Sequence, residues 1–270
     1  MNSKHYIFIS VVLISLYACK HQKKDKPLTS DLKVDHLNIW IKNPKQAKEK
    51  LTNIGFTAVP DSLSKIHTGQ GTTGRYFYFL NTYLELIFVY NQQELEQNNK
   101  INKDLDFTKR ANFDKNGALP FSIALKVKDY DVSKIPFEKI KYHQDWMEQD
   151  VNIYAAKNSK TNLKEPSIFV VYPKIQYDVF ETIEDLKQIP EEYKLWREFY
   201  KHPNGAKKVT KIVITTKDAD LHSETLKAVN GIEKITVKNG ETYLMELYFD
   251  NNIQKKSFDL RPGLPLIIHL

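Results

Sequence analysis

The sequence predicts an α+β chain built from repeated βαβββ units. Three observations carry this. Asp35–Ile41 and Tyr83–Val89 alternate apolar with other residues, the period of a half-buried strand. Between them Asn43-Pro44 opens a stretch with Ala47, Leu51 and Ile54 at helical spacing, closed by Gly55. The same strand–helix–strand order then returns twice further along the chain.

Residues 1–18 stand outside the fold. A short basic head, Met1 to His5, precedes an apolar run from Tyr6 to Leu16, which is too short to cross a bilayer and has signal-peptide length. The run ends Leu16-Tyr17-Ala18-Cys19, and Cys19 is the only cysteine in the chain. This ending resembles a bacterial lipoprotein signal, cut before Cys19 and lipidated on it. An ordinary secretory signal and an uncleaved anchor are the alternatives. Residues 19–32 are polar and lysine-rich, as expected of a flexible tether. The expected location is the bacterial cell envelope, with the membrane as a partner through lipidated Cys19. One cysteine also excludes an internal disulfide and a thiolate metal cluster.

The formal charge is +7, with 40 basic residues among 33 acids. The lysines are scattered and no basic-aromatic motif appears, so no nucleic-acid partner is expected. Hydrophobic residues make up 41% and aromatic residues 12%, enough for a sizeable core.

The first unit with its connection spans 33–118. Phe56 to Val59 reads as a short strand, Pro60 to Thr73 as a polar loop, and Gly74 to Leu80 as a strand turned by Asn81-Thr82 into the next. Leu37, Ile39 and Ile41 share a face with Leu84, Leu86 and Phe88, which the helix can cover. His36, Asn38, Trp40 and Glu85 fall on the uncovered face. Asn91 to Gly117 reads as a weakly helical surface connection. The second unit, 119–206, has strands at Phe121–Val127, Val151–Ala156 and Ser167–Tyr172 but an eroded helix. Glu191 to Tyr200 reads as a short helix, stopped by His202-Pro203-Asn204-Gly205. The third unit, 207–270, opens with strand Val209–Thr215 and a helix capped by Asp220. A hairpin across Asn239-Gly240 and a strand at Ser257–Leu260 follow.

The Asp35-His36-Leu37 strand, the Gly55-Phe56 helix end and Tyr83-Leu84-Glu85-Leu86-Ile87 together resemble the vicinal oxygen chelate superfamily, and its glyoxalase-like domains in particular. Further stretches carry the same likeness: His67-Thr68-Gly69-Gln70-Gly71-Thr72, Pro120–Leu125, Glu165–Phe169, His202–Gly205 and Asp259–Pro262. The resemblance implies βαβββ modules joined into a cupped mixed sheet around a metal, each module donating a ligand from its first and its last strand. His36 and Glu85 match that pattern. In the second unit Ser122 falls at the histidine position, and Ser167 or Val171 where a carboxylate is expected. In the third, Lys211 falls at the histidine position and Asp259 matches Glu85.

The implied metal candidates are therefore His36, Glu85 and Asp259, holding one divalent ion (Zn, Mn, Ni or Fe) or none. Serine and valine are poor ligands, and a lysine repels a cation. A bland alternative bonds His36 to Glu85, or pairs Glu85 with Lys211 or Arg75. Trp40, Gly71, Arg75, Tyr76, Ser122 and Lys211 are the candidate ligand-binding residues, and the Gly-rich 67–73 loop is expected at the cavity mouth. The leading expectation is a lipid-anchored, small-molecule-binding domain with a degenerate metal site. The alternative is a metal-dependent lyase or isomerase using His36 and Glu85, and a purely structural envelope protein is the third class.

Overall fold

The hydrophobic alternation seen in the sequence forms β1 (Leu32–Trp40), and the capped amphipathic stretch forms α1 (Pro44–Asn53). Asn43 caps α1 by accepting from the Gln46 amide, and Pro44 occupies the first turn. The computed structural model describes residues 31–270. The expected signal peptide, Cys19 and all but the last two residues of the 19–32 tether lie outside them.

The first unit continues with β2 (Ile66–His67), β3 (Thr72–Phe79) and β4 (Thr82–Val89). Three short helices follow, α2 (Gln92–Ile101), α3 (Phe107–Ala111) and α4 (Phe113–Asn116). The second unit is β5 (Phe121–Val127), β6 (Lys139–Tyr142), β7 (Ile153–Ala156) and β8 (Ser167–Val170). The third is β9 (Val209–Thr216), α5 (Glu224–Asn230), β10 (Ile235–Asn239), β11 (Leu244–Phe249), β12 (Ser257–Asp259) and β13 (Leu266–His269).

Eight strands make one mixed sheet in the order β2-β3-β4-β1-β5-β8-β7-β6. That order repeats on either side of the β1–β5 seam. β1 runs parallel to β4 and β5 parallel to β8, while β1 and β5 are antiparallel. A pseudo-twofold therefore passes through the directly paired Leu37 and Ile123. Counting outward from it, His36 answers Ser122, Asn38 answers Ala124, and Glu85 answers Phe169.

The outer face of this sheet is apolar. Leu37, Ile39, Leu84, Leu86, Ile123 and Val170 are almost fully buried there, with Ala47 and Leu51 of α1 in the same core. The third unit supplies the rest of that cover. Its five-stranded sheet, β10-β9-β11-β13-β12, brings Ile212, Met245, Leu247 and Phe249 to the same core. Phe249 lies 4.7 Å from Phe79 and 5.3 Å from Phe56, ring centre to ring centre. The third unit thus closes the back of the cup.

Three expectations are corrected. The strand expected at Phe56–Val59 is a loop whose Phe56 plugs the core, and β2 forms later, at Ile66–His67. The 91–117 connection is not a mere surface link. Leu95 and Ala111 bury against Trp40 and Ile87, because those inner-face residues offer apolar surface at one end of the cup. The Asn239-Gly240 hairpin does not form. β10 pairs parallel with β9, and β11 pairs antiparallel on the other edge of β9. Asn239 instead bonds both the amide and the carbonyl of Ala219. β9, with Ile212, Val213 and Ile214 all buried, is a central strand that needs a partner on each side. The third unit is therefore not a further copy of the first.

Candidate functional site

The inner face of the eight-stranded sheet encloses a cavity of about 1100 Å³. Strand alternation places His36, Asn38 and Trp40 of β1 there, with Tyr83 and Glu85 of β4 and Ser122 of β5. The 172–200 segment folds across and adds a second wall.

His36 is set by a break in β1. The β1–β5 register slips between Val34 and His36, leaving Asp35 without a cross-strand partner. The fully buried Asp35 carboxylate then reaches its neighbour, with Oδ1 2.6 Å from His36 Nδ1. It also accepts from the Tyr177 amide at 2.7 Å and lies 3.4 Å from Lys126 Nζ. Burial pushes the Asp35 carboxyl up. The His36 bond and charge, the Tyr177 amide and Lys126 outweigh that and hold it below the usual range. The His36 ring stacks on Tyr83 at 4.3 Å and meets Phe169 edge-on at 5.6 Å. Nε2 has no hydrogen-bond partner among the described residues, and the ring borders the cavity.

Glu85 pairs directly with Asn38 on the neighbouring strand. Its Oε2 accepts from Asn38 Nδ2 at 2.5 Å. Its Oε1 lies 3.4 Å from His67 Nε2 without a hydrogen bond, and Asn38 Oδ1 is likewise unpaired. Burial pushes the Glu85 pKa up to about 8, only partly offset by Tyr76, Lys65 and Asn38. Gly74 makes room for this carboxyl, since a Cβ there would sit 2.4 Å from Oε1. His67 is neutral for the same reason, its pKa pushed down to about 4 chiefly by burial. Its Nδ1 meets Thr72 Oγ1 at 2.8 Å and its Nε2 meets the Tyr76 hydroxyl at 3.0 Å.

The remaining wall is aromatic. Tyr78, Tyr83, Tyr177 and Trp196 pack with ring centres 5.1–5.8 Å apart. Burial raises the phenol pKa of each of these tyrosines, so they stay neutral. The chain has three tryptophans, and Trp40, Trp146 and Trp196 all border the cavity.

Of the residues singled out from sequence, His36, Glu85, Trp40, Tyr76 and Ser122 come together in the cup. The others are elsewhere. Gly71 is committed to backbone bonds from Tyr90 and Asn91. Arg75 pairs with Asp61 at 3.1 Å and lies over the Phe88 ring. Lys211 sits on the second sheet over Tyr248. Asp259 is on β12, where the Arg261 guanidinium and amide hold its pKa down to about 2. The third unit packs on the back of the cup, so neither Lys211 nor Asp259 borders the cavity. Glu85 pairs with Asn38 rather than Lys211 or Arg75, and His36 with Asp35 rather than Glu85. His67, Tyr177 and Trp196 are cavity residues that the sequence reading left out of the site. Glycines around His67 marked a loop but not its direction.

The pseudo-twofold allows a test of the metal site. The four corresponding positions hold His36, Glu85, Ser122 and Phe169; Ser167 and Val171 flank the last of these. Phe169 has no lone pair, Ser122 offers a neutral hydroxyl, and Glu85 resists ionisation with one oxygen already bonded. This donor set does not fit a divalent cation. No cluster of three or more His, Cys, Asp or Glu with metal-holding geometry occurs among the described residues.

The family model described as "Glyoxalase-like domain" matches residues 34–230. A hypothetical protein from Staphylococcus aureus superposes with a TM-score of 0.52 at 14% identity, over 88% of this chain and 98% of that one. Methylmalonyl-CoA epimerase from Mycobacterium tuberculosis gives 0.33 at 12% identity, over 55% of this chain and 92% of that one. The Streptomyces coelicolor epimerase, in complex with 2-nitronate-propionyl-CoA, gives 0.31 at 10%, over 52% and 97%. No curated protein matches the chain.

Proposed function

The chain belongs to the glyoxalase-like domain family, and from that premise we propose that it binds a small organic molecule in its cup, at a metal site that has degenerated. The observation that carries this reading is the pairing of an open cavity of about 1100 Å³ with Ser122 and Phe169 at two of the four ligand positions. A pocket of this size, largely apolar with a few convergent polar groups, is the form that small-molecule sites take. We also place the protein in the bacterial envelope, held to the membrane by lipidated Cys19. Support for this is the basic head, the apolar run and the Leu16–Cys19 ending.

Metal content tests the first part. Purified protein should carry no stoichiometric Zn, Mn, Ni or Fe, and its melting temperature should ignore chelators and added metals. Stoichiometric metal that disappears in His36→Ala would overturn the reading in favour of a metal-dependent lyase or isomerase. For the anchor, membrane fractionation should find the wild type with the membrane and Cys19→Ser released. A variant that stays membrane-bound refutes lipidation as the anchor.

A further inference from the structure

The cup's polar groups are unbalanced. Glu85 and Asn38 are more than nine-tenths buried and form part of the cavity wall. Each keeps one oxygen, Glu85 Oε1 and Asn38 Oδ1, with no hydrogen-bond donor. A buried acceptor left without a donor is costly, so a ligand that supplies donors there is favoured. The two residues are direct neighbours across β1 and β4, so one ligand group can address both.

The buried basic groups of the lining are balanced by partners, His36 through its Nδ1 contact with the buried Asp35 carboxylate, and Lys65 is exposed at the rim. Arg110 gives Nη1 to the carbonyls of Leu119, Leu163 and Glu165, and Nη2 to those of Ser159 and Asn162. Only its Nε is left over, in a guanidinium further balanced by Glu165. Lys174 is paired with Glu148, Lys65 lies over the exposed Trp146, and His67 is neutral. An anion entering the cup would find no free buried positive charge among these groups. A cation would find the faces of Tyr78, Tyr83, Tyr177 and Trp196, which attract positive charge through their ring quadrupoles.

Resting on the reading that the cup is a ligand site, we propose that its ligand is a ring-bearing organic amine in its ammonium form, seated over the Asn38–Glu85 pair. An ammonium carries three donors and no acceptor; as it enters, Glu85, held neutral by burial in the free protein, releases its proton to solvent, so that its oxygen and that of Asn38 both accept. Its ring lies against the aromatic wall, which supplies apolar area and π-faces together.

Three probes that share one ring test this on the full chain at neutral pH: 1-naphthylmethylammonium, 1-naphthylmethanol and 1-naphthoate, each titrated by calorimetry. The ammonium should bind about tenfold more tightly than the alcohol, a difference of about 1.4 kcal/mol, and the carboxylate most weakly. Glu85→Gln should cut the ammonium's advantage over the alcohol to about threefold or less. Equal binding of the three, or a preference for the carboxylate, overturns the ligand class and leaves the cup reading standing. Binding by none of them removes both. The wild-type ranking stands by itself if Glu85→Gln fails to fold.

Discussion

In the first half of the cup sheet, α1 lies behind β1 and β4 and buries Ala47 and Leu51. In the second half, the stretch between β5 and β6 holds only two 3₁₀ turns, Lys128–Tyr130 and Val132–Lys134. Strand order and pairing are nevertheless the same in both halves. The backing of the second half comes from elsewhere: Ile135 and Phe137 join the common core, and Arg110 ties the 159–165 loop to the start of β5 through five carbonyls. The inner faces differ too, with His36 and Glu85 on one side and Ser122 and Phe169 on the other. Backbone pairing and the outward apolar face maintain the topology, so the inward face can change its chemistry without changing the fold.

Three measurements sharpen or break that contrast. The largest effect is expected from Glu85, the inner-face acid whose counterpart in the second half is Phe169. Glu85 ionises near 4.5 when unfolded and near 8 when folded. Between those values the folded chain holds the extra proton, so stability should fall as pH rises through the window and level off above 8. The slope reaches about 1.4 kcal/mol per pH unit for one group. Above pH 6.5 the buried His67 and His202, both pushed down to about 4, oppose it little. Urea unfolding of Glu85→Gln should show that slope removed; an unchanged slope would mean that Glu85 is solvated.

Next comes the clamp of the second half. Arg110→Ala strips three buried and two half-buried carbonyls of their donor and should cost about 3 kcal/mol, read as a lower urea midpoint. A loss below about 1 kcal/mol would show that water replaces the guanidinium. The smallest effect rebuilds what the second half lacks. Ser122→His combined with Phe169→Glu should let added Zn raise stability by about 2–3 kcal/mol at a hundredfold excess over Kd, with no response in the wild type. Ser122→His with Val171→Glu is the control. A metal response there instead would put the register of the two halves out by one step of two residues.

Much of the cup was legible locally. A period of two put His36, Trp40 and Glu85 on one face, and the Asn43-Pro44 start with the Gly55 stop bounded α1 within a residue or two. The fourth ligand position was not legible, because Ser167, Phe169 and Val171 share a face and only the β5–β8 register chooses among them. The partner of His36 was hidden for another reason. Adjacent strand residues point to opposite faces, and it takes a bulge to bring Asp35 onto its neighbour's ring. The 176–200 segment has no clean period, so Tyr177 and Trp196 gave no sign that they close the cavity. The Asn239-Gly240 signal was strong and local, and a central β9 overrode it.

By itself the sequence determined the long strands β1, β3, β4, β5 and β9, which face of β1 and β4 is apolar and where the first helix begins and ends. Those follow from spacing within a few residues and from caps that act on their own backbone. The tertiary structure alone decided the twofold register, the Asp35 bulge, the lid of tyrosines and the docking of the third unit behind the cup. Each depends on contacts between residues far apart in the chain, whose energies no local pattern contains.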